Sequence, residues 1–178
     1  FALACWAALS MFDRVGIRVQ NWLDPWRDPL DTGYQQIQSD FALANGGVLG
    51  VGLGRGEPWL IPAVETDFVI SAIAEELGLI GTLAILALYA VIVLRGLTIG
   101  LRQRDGYFRL VAIGLSASLG VQTAVILGGV LRLIPLTGIT LPFVSYGGSS
   151  MLTNFTAVGL LLNISAMAKP SRPRGVTR

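Results

Sequence analysis

Hydrophobic and polar positions fall into long blocks along this chain. Leu77–Leu94 runs 18 residues without a charge, Leu110–Leu131 runs 22, and Leu133–Ala168 runs 36 with Pro135 and Pro142 inside it. About 18 uncharged, mainly apolar residues suffice for a helix to cross the hydrocarbon core of a bilayer. One such run also fits a buried helix of a soluble core, but three in series do not. The blocks therefore predict membrane-spanning helices over 67–94, 110–132 and 149–168. The opening "FALACWAALSMF" is apolar but too short to span, and it lacks the basic start and cleavage site of a signal peptide. It predicts the end of a further helix over 1–12, truncated in this chain.

The polar block 13–66 has internal structure. "NWLDPWRDPL" reads as a rigid turn with Trp22 and Trp26 at headgroup depth. In "YQQIQSDFALAN", Tyr34, Ile37, Phe41 and Ala44 recur at helical spacing, which predicts a short amphipathic helix lying in the interface. "GGVLGVGLGRGEP" follows. It satisfies neither dinucleotide-binding nor P-loop spacing, so it is either a flexible turn or a loop offering N–H groups to phosphate, with Arg55 as its cation. Near the other end, "LIPLTGITLPFVSYGGSS" has too many Pro and Gly for one helix, yet carries no charge. Irregular backbone at membrane depth must be buried or line a wet cavity. This predicts a re-entrant outer loop, in which Thr137, Thr140, Ser145, Tyr146, Ser149 and Ser150 satisfy freed backbone groups. Ser149 or Ser150 would also cap the last helix.

Charge adds orientation. The connection 95–109 holds Arg95, Arg102, Arg104 and Arg109 against Asp105, and the tail 169–178 holds Lys169, Arg172, Arg174 and Arg178 with no acid. The positive-inside rule puts both in the cytoplasm, and 13–66 and 133–148 outside. Composition agrees: 53% of the 178 residues are hydrophobic and 13% charged, against about a quarter charged in soluble domains. The chain has no His and one Cys, which excludes His-based acid–base chemistry, a zinc site and an intrachain disulfide within it. The expected fold is an all-α polytopic membrane protein. It has one truncated and three full transmembrane helices, a large extracytoplasmic loop over 13–66, the re-entrant outer loop, and a cytoplasmic tail over 169–178.

Candidate chemistry concentrates in "AVETDFVISAIAEELG", where Glu65, Asp67, Glu75 and Glu76 crowd the mouth of the first full span. Charges are costly beside hydrocarbon. Thr66 or Asp67 sits where a helix N-cap belongs. Glu75 and Glu76 lie about 12–14 Å further along the helix, too far from Asp67 to share a proton. Arg132 is a candidate partner for one of them. These residues alone suit a polar, carboxylate-bearing cavity opening outward, as in a transporter or a membrane-embedded enzyme.

Three longer blocks narrow this choice. "DPWRDPLDTGYQQIQSDFALANGGVLGVGLG", "TDFVISAIAEELGLIG" and "PLTGITLPFVSYGGSS" together resemble the SEDS family (shape, elongation, division and sporulation), in the family's order and over about 13–168. The match corresponds to the C-terminal part of a single membrane domain. The resemblance implies a peptidoglycan glycosyltransferase of the bacterial cytoplasmic membrane. Such an enzyme polymerises lipid II on undecaprenyl-pyrophosphate-linked glycan, in division or elongation, beside a class B penicillin-binding protein. No nucleic-acid partner is expected. A role as a lipid II flippase is the alternative. The family's essential Asp falls on Asp67, whereas the Glu that often follows Pro in the family is Ala63 here.

One carboxylate suits that chemistry. A glycosidase needs a second carboxyl to protonate its leaving group. A lipid pyrophosphate leaves without a proton if positive charge neutralises it. Arg55, an Arg outside this chain, or an oxygen-ligated divalent ion such as Mg²⁺ or Mn²⁺ are the candidate sources of that charge, with no metal ligands assigned. Thr66, Glu75, Glu76, Thr137, Ser145 and Ser149 complete the candidate lining of the cavity.

Overall fold

The computed structural model describes residues 13–167. The expected truncated helix over 1–12 and the tail over 169–178 lie outside the described residues. Five α-helices form among the described residues: α1 (Asp13–Leu23), α2 (Tyr34–Gly46), α3 (Val69–Arg102), α4 (Gly106–Val130) and α5 (Gly148–Met167). The last three are long and apolar enough to cross a membrane. They run alternately up and down, so the start of α3, the end of α4 and the start of α5 share one end, with α1 and α2 packed there. Little of their apolar surface is internal: 11% of the most apolar window of α3 is buried, as expected of helices facing lipid or further helices. Small residues bring α3 and α4 together, with Gly96 and Gly100 on one side and Ala112 and Ser116 on the other, all buried.

The polar block 13–66 is therefore more ordered than a loop. Asp24 ends α1 just before Pro25, since the residue before a proline disfavours helical geometry. Its Oδ1 accepts the N–H of Trp26 at 3.1 Å, starting a single 3₁₀ turn over Pro25–Arg27. The amphipathic stripe expected on α2 is not the face it buries. Ile37 is buried, but Phe41 and Ala44 are exposed, while Gln36, Ser39, Ala42 and Gly46 face inward. Small size decides the packing: Ser39 Oγ bonds Ser71 Oγ of α3 at 2.7 Å, and a Cβ on Gly46 would collide with the Ala74 carbonyl.

The first span differs most from expectation. Predicted over 67–94, it runs on to Arg102 and breaks at Gly78, which adopts φ 68° and ψ −170°. The Gly-rich stretch enters the break. Val51 and Gly52 donate to the carbonyls of Glu75 and Glu76 at 2.9 and 3.0 Å, and Leu79 and Ile80 donate to those of Gly47 and Val48 at 3.0 and 3.2 Å. Freed backbone groups on both sides of the break are thus satisfied, as an apolar surrounding demands. Beyond the break, Leu79–Arg102 is about 36 Å long at 1.5 Å per residue. That exceeds the hydrocarbon thickness of roughly 30 Å. The glutamates precede this segment and need not sit beside lipid.

The other spans start or stop within a few residues of prediction. Asp105 caps α4 by accepting the Tyr107 N–H at 2.8 Å. α4 ends with Leu133 and Arg132 donating to the carbonyls of Gly128 and Gly129 at 2.8 and 3.2 Å, and Arg132 at φ 58°. This is the arrangement that usually places glycine in the left-handed position. Ser149 and Ser150 lie inside α5, and Ser150 Oγ accepts instead from Thr140 Oγ1 at 2.7 Å and Asn154 Nδ2 at 3.2 Å.

Candidate functional site

The segment before α3 is held on both sides. Thr66 and Asp67 donate their N–H groups to the Ala63 carbonyl at 3.1 and 3.2 Å, closing a turn with Ala63 at φ 54°. From the 133–148 connection, buried Ser145 donates its hydroxyl to the Thr66 carbonyl at 2.6 Å and accepts the Leu141 N–H at 2.9 Å. Tyr146 N–H reaches the Glu65 carbonyl at 2.7 Å. Side chains elsewhere fix the rest of the connection: Tyr89 donates to the Pro142 carbonyl and Gln122 to that of Thr140. Of the hydroxyls expected to satisfy its backbone, Ser145 does so, whereas Thr140 and Ser150 bond each other.

This bracing moves the helix start one residue on. Phe68, fully buried, is the N-cap of α3, and no side chain caps it. The Asp67 carboxylate is therefore free of the helix terminus. It faces a cavity of about 110 Å³ whose wall includes Arg18 and Trp22 of α1, Thr32 in the turn before α2, Gln35 and Gln36 of α2, and Leu136. Arg18 Nη1 donates to the Thr137 carbonyl at 2.9 Å, which pins the guanidinium over Gly138. A Cβ on Gly138 would stand 3.2 Å from Arg18 Nη2 and 3.6 Å from Asp67 Oδ2. The glycine thus leaves open the space between cation and carboxylate, and its φ of 71° suits no other residue well.

Most other sequence candidates lie elsewhere. Glu75 is buried under the Gly-rich loop, where Oε2 accepts the Glu57 N–H at 3.3 Å. Glu76 lends its carbonyl to the same loop. Neither glutamate meets Arg132, which pairs with Asp40 at 3.4 Å. Arg55 is exposed on that loop. Several loop N–H groups, those of Gly50, Val51, Gly52 and Arg55, already meet protein carbonyls, so the phosphate-binding reading of the glycines is not favoured. Thr66 and Thr137 take part through their carbonyls, and Ser149 is exposed, its carbonyl accepting from Thr153. Trp22 lines the cavity, its indole N–H bonded to the Arg132 carbonyl at 2.7 Å. Sequence reasoning missed Arg18 and the Gln35–Gln36 pair. Their distance along the chain from Asp67 hid them.

The cavity suits proton transfer beside an anion. Asp67 can accept a proton from a hydroxyl, the amides can orient polar groups, and Arg18 supplies positive charge. The residues do not fit a divalent ion. Asp67 is the one carboxylate on the wall, a guanidinium flanks the same space, and no group of three or more metal-ligating side chains gathers among the described residues.

The family described as cell cycle protein, FtsW/RodA/SpoVE, matches residues 2–170. The peptidoglycan glycosyltransferase RodA of Mycobacterium tuberculosis is 50% identical over 175 residues, 98% of this chain and 37% of that protein. The probable peptidoglycan glycosyltransferase FtsW of Geobacter sulfurreducens is 47% identical over 154 residues, 85% of this chain and 41% of that protein. Among solved structures, a chain of a peptidoglycan synthase complex that coordinates polymerization and crosslinking is 31% identical. It aligns with a TM-score of 0.70 over 96% of this chain and 48% of that one. The chain thus spans less than half the length of these relatives.

Proposed function

The chain belongs to the FtsW/RodA/SpoVE family of cell cycle proteins, and on that premise we propose that it carries the acid–base half of a peptidoglycan glycosyltransferase active site. The acceptor's sugar hydroxyl gives its proton to Asp67 while its oxygen attacks the anomeric carbon of the donor. The bond to the lipid pyrophosphate breaks, and the pyrophosphate leaves as an anion. Attack on the face opposite the leaving group inverts an α-linked donor to a β-linked product. Arg18, rather than Arg55, supplies positive charge to the leaving group. The observation that carries this reading is the Asp67 carboxylate, uncapped and facing the same small cavity as the Arg18 guanidinium.

The reading extends to the setting. The Asp67 end of the helices faces outward and the Arg-rich 95–109 connection faces the cytoplasm, as does the C-terminus, in the bacterial inner membrane. A crosslinking penicillin-binding protein is the partner, in keeping with the synthase complex to which the chain is similar. A flippase would need ionisable groups along a path across the bilayer. The charges of α3 to α5 lie near the helix ends instead.

The test is Asp67→Asn in the full-length protein with its partner, assayed for polymer from purified lipid II. Loss of a general base costs roughly 10²- to 10⁴-fold, with membrane insertion and partner binding retained. Polymer at the normal rate would sink the reading.

A further inference from the structure

Arg132 occupies a backbone position that would suit glycine, and its side chain explains why arginine is there. It sits in the left-handed region at φ 58°, just past the end of α4, where a side chain is strained and glycine is not. Its guanidinium reaches two other elements. Nη2 donates to the Trp22 carbonyl at 3.0 Å, at the end of α1. Nη1 meets Asp40 Oδ2 of α2 at 3.4 Å. Both contacts lead to the cavity. The Trp22 indole N–H donates back to the Arg132 carbonyl at 2.7 Å, so backbone and side chain of each residue clasp the other. The other carboxylate oxygen of Asp40 accepts from Gln36 Nε2 at 3.2 Å. Trp22 and Gln36 line the Asp67 cavity, whereas Arg132 does not.

We propose that Arg132 is a positioning residue of the Asp67 cavity, holding Trp22 directly and Gln36 through Asp40. The strain at residue 132 is retained because its guanidinium adds the Trp22 carbonyl of α1 and Asp40 of α2 to the one link that the backbone there makes by itself, the bond from the Trp22 indole. The same strand of chain continues to Leu136 and Thr137, whose carbonyls receive Arg18. One residue therefore sets the register of three walls. The role in turnover rests on the glycosyltransferase reading, while the role in holding Trp22 does not.

The experiment uses the full-length protein with its partner, labelled with 5-fluorotryptophan, the Trp22 resonance being assigned by its loss in Trp22→Phe. Arg132→Gly removes the side chain and relieves the backbone. It is expected to keep or raise Tm, to shift and broaden the Trp22 fluorine resonance, and to lower kcat/KM for lipid II about ten- to a hundredfold, as slight misplacement of reacting groups does. Arg132→Lys keeps a cation that can reach one of the two partners, so an intermediate rate is expected. An unmoved Trp22 resonance in Arg132→Gly, or a full polymerisation rate, overturns the proposal. Should Arg132→Gly lower Tm, Asp40→Asn decides. A severalfold loss of rate at unchanged Tm supports the relay to Gln36, and an unchanged rate overturns it. Ordinary polymer from Asp67→Asn would instead defeat the glycosyltransferase reading and leave the fluorine result standing.

Discussion

Asp67 and Glu75 lie eight residues apart in one stretch of sequence, yet they end in opposite circumstances. Asp67 is partly exposed, caps nothing, and faces a polar cavity beside a guanidinium. Glu75 is 5% exposed, with the Glu57 N–H on its carboxylate and loop backbone closing over it. On the proposed reading, reactivity belongs to the carboxylate whose acceptor capacity the fold leaves open. A buried and bonded carboxylate serves architecture, since breaking its contacts strands other polar groups. What separates the two is the backbone around them. A braced turn delivers Asp67 to open space, and an interrupted helix delivers Glu75 to the interior.

The interrupted helix offers the largest effect. Gly78→Val would force a β-branched residue into φ 68°, with a Cβ colliding with backbone of Val48, Leu49 and Gly50. Several kcal/mol should be lost, at the severe end for single substitutions, and the full-length protein should fail to accumulate in membranes. Normal accumulation would mean that the break is not structural. Next, the carboxylates can be set directly against each other. Asp67→Asn should abolish polymerisation while Tm stays within a few degrees. Glu75→Ala should cost about 2 kcal/mol through a cavity and an unpaired N–H, with polymerisation per folded molecule within threefold. If the two variants exchanged these outcomes, the division between chemistry and architecture would be reversed.

Ser145→Ala tests the brace itself. It would leave the Leu141 N–H and the Thr66 carbonyl without their shared hydroxyl, costing about 1–3 kcal/mol. A fall in polymerisation that exceeds the fall in folded protein would tie the brace to the placement of Asp67. Equal falls would make it ordinary stabilisation.

The spans were legible in the sequence because an uncharged run of sufficient length has few alternatives. Their joins were not. Gly78 lies inside a pattern that reads as continuous helix, and only the arrival of residues 46–52 from elsewhere in the chain makes a break affordable in backbone hydrogen bonds. The face that α2 turns to α3 was not read in the sequence, because close approach there favours Ser39 and Gly46, while Phe41 and Ala44 of the apolar stripe stay exposed. Asp67 was singled out through family resemblance, while local sequence suggested a helix cap, and the structure shows only that it does not cap α3. The turn at Ala63 and the hold of Ser145 and Tyr146 on Glu65 and Thr66 displaced that cap to Phe68. Arg18 was unreadable because its partner carbonyls, Leu136 and Thr137, lie at the far end of the chain.

The two arginines give the smallest and sharpest contrast. Both lie in the polar block and both are exposed, and the sequence pointed to Arg55 because of the glycines around it. Arg18 is held over Gly138 beside Asp67, and its loss in Arg18→Ala should lower kcat/KM about tenfold or more by leaving a developing anion less stabilised. Arg55 packs its stem against Gly52 on the loop that fills the helix break, outside the cavity wall. An exposed charge outside the cavity is screened by water and salt. Arg55→Ala should therefore change polymerisation less than twofold, measured at two salt concentrations to expose any long-range field. A tenfold loss at Arg55 with none at Arg18 would return the leaving group to the Gly-rich loop and dissolve the distinction between the two ends of this short stretch.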